Sequence, residues 1–116
     1  MTDKKYNLTE RLEDFAAQII ILFNVKPSSY AGDYLAKQLM RSSCSAALNY
    51  GEVLGAGTNK DKINKLRICL KELRESLRNL NIQTKANLLN EETLKSLKDE
   101  NDQLIRIIVT RIKNIN

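Results

Sequence analysis

Apolar residues recur every three or four positions along four stretches of the chain, and polar or helix-breaking residues separate those stretches. In the first, Leu8, Leu12, Phe15, Ile19, Leu22 and Phe23 share one helical face, which predicts a helix over about 8–25. Asn7, with Glu10 three residues on, is placed to cap it, and Pro27 forces it to stop. Ser28 and Ser29 can cap a second helix over 30–54. Its inner face is made of Leu35, Leu39, Ala46, Ala47, Tyr50 and Val53, with Ser42, Ser43 and Ser45 among them. Small side chains there allow a neighbouring helix to come close. Gly55-Ala56-Gly57 ends it, because glycine accepts the left-handed geometry of a helix stop. Thr58 to Asp61 has the form of a capping box and opens a third helix over 59–80. Its seam of Ile63, Leu66, Leu70, Leu73, Leu77 and Leu80 alternates threes and fours without a break, as in coiled-coil packing. The polar, mixed stretch 81–90 is expected to be a connection. Asn90 then caps a fourth helix over 91–115, with Glu91 and Glu92 at its positive end.

These elements predict an all-α fold, an antiparallel up-down-up-down four-helix bundle about 30 to 37 Å long. The 116 residues suffice for one domain, 1–116, and leave no room for a second. Composition agrees, since one proline, four glycines and 5% aromatics cannot supply the frequent turns of an all-β domain.

Several kinds of chemistry are excluded or left without support. The chain has no histidine, which removes Ser-His and Cys-His catalysis and all histidine-based metal sites. Cys44 and Cys69 are far apart within helical segments and are expected to be free thiols in a reducing cytoplasm. Met1 to Tyr6 is polar and charged, unlike a secretory leader. The longest apolar run, Ile19 to Phe23, is too short for a bilayer. A cytoplasmic protein without a cofactor and without membrane contact is the expectation.

Charge is concentrated in one place. Residues 58–86 hold eight basic side chains against three acidic ones, so the whole net charge of +5 belongs to the third helix and its flank. Lys60 opens this region. Arg67, Lys71, Arg74 and Arg78 follow at intervals of four, three and four, forming one stripe roughly 110° from the centre of the leucine seam. Such a ridge suits phosphate backbones, which reward charge without demanding sequence readout. The bland alternative is a solvated face on which Glu72 and Glu75 pair locally. This helix has no aromatic residue, so base stacking along the ridge is not expected.

A polar set on the second helix, Arg41, Ser45, Asn49 and Glu52, steps four, four and three along one side. Ser45 has no histidine to activate it, so the set is expected to be structural. In that role Arg41 and Glu52 are satisfied across helices and Asn49 fixes register. The glycines between Gly51 and Gly57 lack the Lys-Ser/Thr ending and the preceding strand of a phosphate loop.

Apolar side chains cover roughly 200° of the fourth helix, about twice what one packed face needs. Leu94, Leu97, Leu104, Ile105, Ile107, Ile108, Val109, Ile112 and Ile115 make up this band, and Ile19 to Phe23 likewise point in every direction. Exposed bands of that size predict contact with another chain, most economically a second copy.

Gln38-Leu39-Met40-Arg41-Ser42-Ser43-Cys44-Ser45, followed by Asn49-Tyr50-Gly51-Glu52, resembles the core motif of the 23S rRNA intervening-sequence protein family. Lys65 to Glu75, with its Lys71-Glu72-Leu73-Arg74-Glu75 run, resembles that family's third helix, and Leu12-x-x-Phe15-Ala16 agrees with its opening. One departure is Lys62 after Asp61, where the family often has phenylalanine. The resemblance implies a four-helix bundle that assembles into a ring, typically a homopentamer. A related branch is the accessory protein of diversity-generating retroelements, which works with a reverse transcriptase and template RNA. Sequence and resemblance together lead to a non-enzymatic oligomer that binds nucleic acid, RNA above DNA, through the stripe. A protein-binding or scaffolding oligomer is the alternative.

Overall fold

The computed structural model describes residues 7–115, which form four helices and no strand. These are α1 (Leu8–Leu22), α2 (Tyr30–Val53), α3 (Asn59–Lys85) and α4 (Glu91–Ile115). Each begins where a side chain satisfies an orphan backbone N–H. Asn7 accepts from the Glu10 N–H, Ser29 from Gly32, Thr58 from Asp61, and Asn90 from Glu92 and Thr93. Gly32 is glycine for a steric reason: an added Cβ would lie 2.9 Å from the capping Ser29 Oγ and 3.1 Å from Pro27.

Sequential neighbours pack against each other, and α4 closes the ring against α1. As α2 advances from Leu35 to Glu52, its hydrogen-bonded partners on α3 retreat from Asn79 to Lys65, so the two run antiparallel. The same opposition relates α1 to α4. Arg11 meets Glu100 and Gln103, while Ile21 and Leu22 share a groove with Glu92 and Thr93. Leu12, Phe15, Ile19, Leu39, Ala46, Leu66, Leu73, Leu80, Leu104 and Ile108 form the sealed centre. Among the described residues, no helix is long and apolar enough to cross a membrane.

Two element boundaries differ from the sequence expectation. Helix α1 ends at Leu22, three residues early, where the Phe23 N–H caps the Ile19 carbonyl. Helix α3 does not stop at Leu80 but continues to Lys85, so half of the expected connection is helical. Its polar residues are the reason. Gln83 is 1% exposed and donates to the Asn79 side chain, which itself donates to the Leu35 carbonyl. The Leu88 N–H bonds the Gln83 carbonyl and Asn87 N–H bonds Thr84, with Asn87 in the left-handed region (φ 55°). That is a Schellman stop with asparagine in the glycine position.

The apolar excess also divides differently. Ile105, Ile107, Val109, Ile112 and Ile115 are half-buried against the core, because α4 wedges between α3 and α1 and reaches the end of α2. In the Ile19 to Phe23 run, Ile19 and Phe23 are buried, whereas Ile20 and Ile21 are exposed.

Candidate functional site

Helix α3 has three distinct sides. One carries Leu66, Leu70, Leu73 and Leu80 into the core. A second faces α2 through a ladder of polar contacts. The third carries the basic stripe to solvent, with Arg67, Lys71, Arg74 and Arg78 all exposed. From Arg67 to Arg78 the stripe runs about 16 Å along the axis. Lys60 is also exposed but lies in the first turn of α3, about 10 Å short of Arg67.

The polar ladder determines the electrostatics of that stripe. Arg41 on α2 binds Glu75 through Nη2 at 2.6 Å and Glu72 through Nη1 at 3.4 Å. Ser45 donates to the same Glu72 carboxylate at 2.9 Å, and Asn49 donates to the Ser45 carbonyl and hydroxyl. Asn49 therefore acts within its own helix rather than across the seam. Glu52 pairs with Lys65, and Ser42 and Ser76 share a buried hydroxyl contact of 2.7 Å. The Arg41 hydrogen bond holds the Glu75 carboxyl below its ordinary range, helped by the Glu72 side chain and the nearby positive charge of Arg41 and Lys71.

Two of the three acids on α3 are thus directed to α2 and away from the stripe. Arg67, Arg74 and Arg78 make no ion pair among the described residues, and the charge of Lys71 adds to that of Arg41 in lowering Glu75. Among the described residues, Glu72 and Glu75 pair with Arg41 and with none of the three arginines of the stripe.

The stripe borders two grooves. Arg67, Lys71 and Arg74 line a groove of about 410 Å³ between α3 and α4, floored by Leu70, Val109 and Ile112. Lys113 of α4 stands on its far wall. Arg78 instead lines a groove between α2 and α3, of about 310 Å³, together with Tyr34 and Ile82. Neither Lys113 nor Tyr34 is apparent from α3 alone, since both come from neighbouring helices. Lys113 carried a sequence signal, a basic residue in the last turn of α4, but that signal fits a helix-dipole role equally well.

Nothing in this geometry activates a nucleophile. Ser45 is hydrogen-bonded to a carboxylate and an amide. Cys69 is buried, and its thiol is pushed up to about 12, chiefly by burial and further by the Glu72 charge. Cys44 and Cys69 are free thiols.

Comparison with known proteins follows this architecture closely. A solved structure from Bacteroides thetaiotaomicron VPI-5482, described as a protein of unknown function from the S23 ribosomal protein family, superposes with a TM-score of 0.82. It is 25% identical to this chain, and the match covers 91% of this chain and 98% of that one. None of the curated proteins matches. The family model for the 23S rRNA-intervening sequence protein matches residues 4–110, which span all of α1, α2 and α3 and most of α4. Neither the family nor the structural neighbour points to an enzyme class. The chain belongs to the 23S rRNA-intervening sequence protein family.

Proposed function

We propose that this protein is a non-enzymatic, self-assembling bundle that binds nucleic acid, RNA in preference to DNA, along the outer face of α3. One observation carries the reading. The acids that could neutralise the stripe are held by Arg41 across the α2–α3 seam, so Arg67, Arg74 and Arg78 keep their charge for an external anion. Lys71 and Lys113 extend the cationic wall on either side of the α3–α4 groove. Exposed Ile20, Ile21 and Val25 supply apolar surface for a second copy, and five subunits is the number the family resemblance favours. Assembly would place several stripes along one strand and raise avidity. A location in the cytoplasm suits an RNA partner.

A salt titration of RNA binding tests this, comparing the parent with an Arg74→Gln/Arg78→Gln variant. Each phosphate neutralised on a single strand contributes about −0.7 to the slope of log K against log salt, so four contacts give about −3 per engaged protomer. The variant should flatten the slope by about 1.4 and weaken all sequences alike. Both positions lie off the leucine seam, so fold and assembly should persist. An unchanged slope in a variant that still assembles would remove the stripe from nucleic-acid binding. Loss of a protein partner, a reverse transcriptase for instance, would instead favour the scaffolding reading. The exposed apolar residues of α1 are what support that second reading.

A further inference from the structure

We infer that the groove between α2 and α3 beside Arg78 is a stacking site for an unpaired base, which makes the preferred ligand single-stranded rather than duplex RNA. This rests on the phosphate-binding reading of the stripe and adds a second, separable interaction to it.

The chemistry follows from the antiparallel register. Tyr34 of α2 and Ile82 of α3 lie at the same level of the bundle and line one groove, each 52% exposed. Both side chains are therefore half out of the core, with no partner covering them among the described residues. A tyrosine ring half exposed beside a groove presents aromatic surface to solvent, and a nucleobase is a flat ligand that such surface accepts with little regard to sequence. Polar groups surround this apolar slot. Gln38 accepts a long 3.4 Å contact from Arg41 through its amide oxygen, and its amide nitrogen makes no hydrogen bond among the described residues. That nitrogen is a donor for a base edge. Arg78, exposed and unpaired among the described residues, borders the slot and is the last member of the basic stripe. The one carboxylate on the rim, Glu75, is held by Arg41 and lies near the positive charge of Lys71, which limits its repulsion of a phosphate. A strand whose phosphates follow Arg67, Lys71, Arg74 and Arg78 thus arrives at a tyrosine at the end of its path. A duplex keeps its bases stacked inside, so along its length it offers phosphates, 2′-hydroxyls and groove edges but no free base face.

The absence of aromatic residues on α3 argued against stacking along the ridge. Tyr34 restores it because it comes from the adjacent helix. Charge alone would also draw an acidic protein segment to the stripe; the half-exposed tyrosine ring beside Arg78 is what favours a strand with unpaired bases.

The test uses the full chain with oligoadenylate as the single strand and the duplex formed with its complement. Affinities are read by anisotropy of a labelled strand at fixed salt, for the parent, Tyr34→Ala and Tyr34→Phe. The parent should prefer the single strand, and Tyr34→Ala should lose about tenfold in single-strand affinity, the scale of one base–aromatic stack. Its salt slope and its duplex affinity should not change, while Tyr34→Phe should bind as the parent does. Because the chain has no tryptophan, tyrosine emission is a second readout. Stacking should quench it in the parent, and the quench should shrink in Tyr34→Ala. Equal binding of strand and duplex by the parent, or an unaffected Tyr34→Ala, would overturn the stacking site. If Arg74→Gln/Arg78→Gln still flattened the slope in that case, phosphate binding would stand without it. A change in oligomeric mass on Tyr34→Ala would overturn it too, by making the groove a contact between subunits. No binding of either ligand would remove both readings together.

Discussion

Leu73 is the position where packing should matter most, and Leu70 is its control. Both belong to the α3 seam, but Leu73 is fully enclosed whereas Leu70, 9% exposed, forms part of the floor of the α3–α4 groove. Truncating Leu73 to alanine leaves a cavity between α3 and the core that rigid neighbours on all sides cannot fill. The cost should be about 3–5 kcal/mol, the upper part of the range for buried leucines. At Leu70 the groove walls can move inward and solvent already touches the site, so about 2–3 kcal/mol is expected. With an unfolding entropy of about 2.1 cal/mol/K per residue, a chain of this length loses about 4 °C of Tm for each kcal/mol. Leu73→Ala should therefore melt about 12–20 °C below the parent, and Leu70→Ala about 8–12 °C below. Far-UV circular dichroism on heating measures both, at one protein concentration because the proposed self-association would make Tm depend on it. A Leu73→Ala protein that melts within a degree of the parent refutes the seam. So does a larger loss at Leu70 than at Leu73.

Asn101 lies fully buried on α4 in the middle of a leucine series, and its amide can donate to the Leu73 carbonyl (3.0 Å) and accept from the Leu77 N–H (3.1 Å). Asn101→Asp should cost about 3–5 kcal/mol at neutral pH, because an unpaired carboxylate would replace the donor in a dry site. Burial raises the folded-state pKa of that new carboxyl, so its penalty is absent below about pH 4 and grows as pH rises toward the folded value. Urea titrations of the variant at acid and neutral pH check this, and a variant as stable as the parent at pH 7 would contradict it. The thiols give a third check: Cys69, buried and with its pKa near 12, should resist alkylation at pH 8 until the protein unfolds. Mass spectrometry after a timed pulse of iodoacetamide would show rapid native labelling of Cys69 if the α3 face toward α2 were open.

What sequence made legible is what obeys simple periodicity. The helix starts follow from Asn7, Ser29, Thr58 and Asn90, whose side chains reach the backbone two or three residues ahead, a purely local interaction. The leucine seam of α3 was equally visible, because a spacing of three and four has one geometric meaning. The end of α3 was not visible. Gln83 and Asn79 look like surface residues until Leu35 supplies a carbonyl from another helix, and only then can both be buried. Asn101 was hidden for the same reason, since its partners are backbone groups of α3. At the candidate site, the stripe could be read from the spacing of Arg67, Lys71, Arg74 and Arg78. Its pairing state could not, because that depends on where Glu72 and Glu75 turn. Tyr34 and Lys113 join the site only through helix packing, which leaves no local trace in the chain.

The pairing of Glu72 and Glu75 explains how the bundle keeps so concentrated a positive charge on one face of α3. Glu75 stands four residues after Lys71 and three before Arg78, spacings at which helical ion pairs normally form. Such exposed pairs are worth only about 0.3–0.5 kcal/mol. Arg41 competes with them by offering two nitrogens to two carboxylates at a half-sheltered seam, where Ser45 adds a further donor. Charge-assisted hydrogen bonds of that kind are about twice as strong as neutral ones. The seam therefore captures the acids, and docking of α2 on α3 leaves the arginines without local partners. The positive face is in this sense shaped by the tertiary structure: on an isolated α3, Glu72 and Glu75 would have only the stripe to pair with, whereas in the folded bundle both bind Arg41. A cationic surface created by folding is present only when the helices that carry Tyr34 and Lys113 are also in position. Charge, groove and aromatic ring are then available together on one side of the protein.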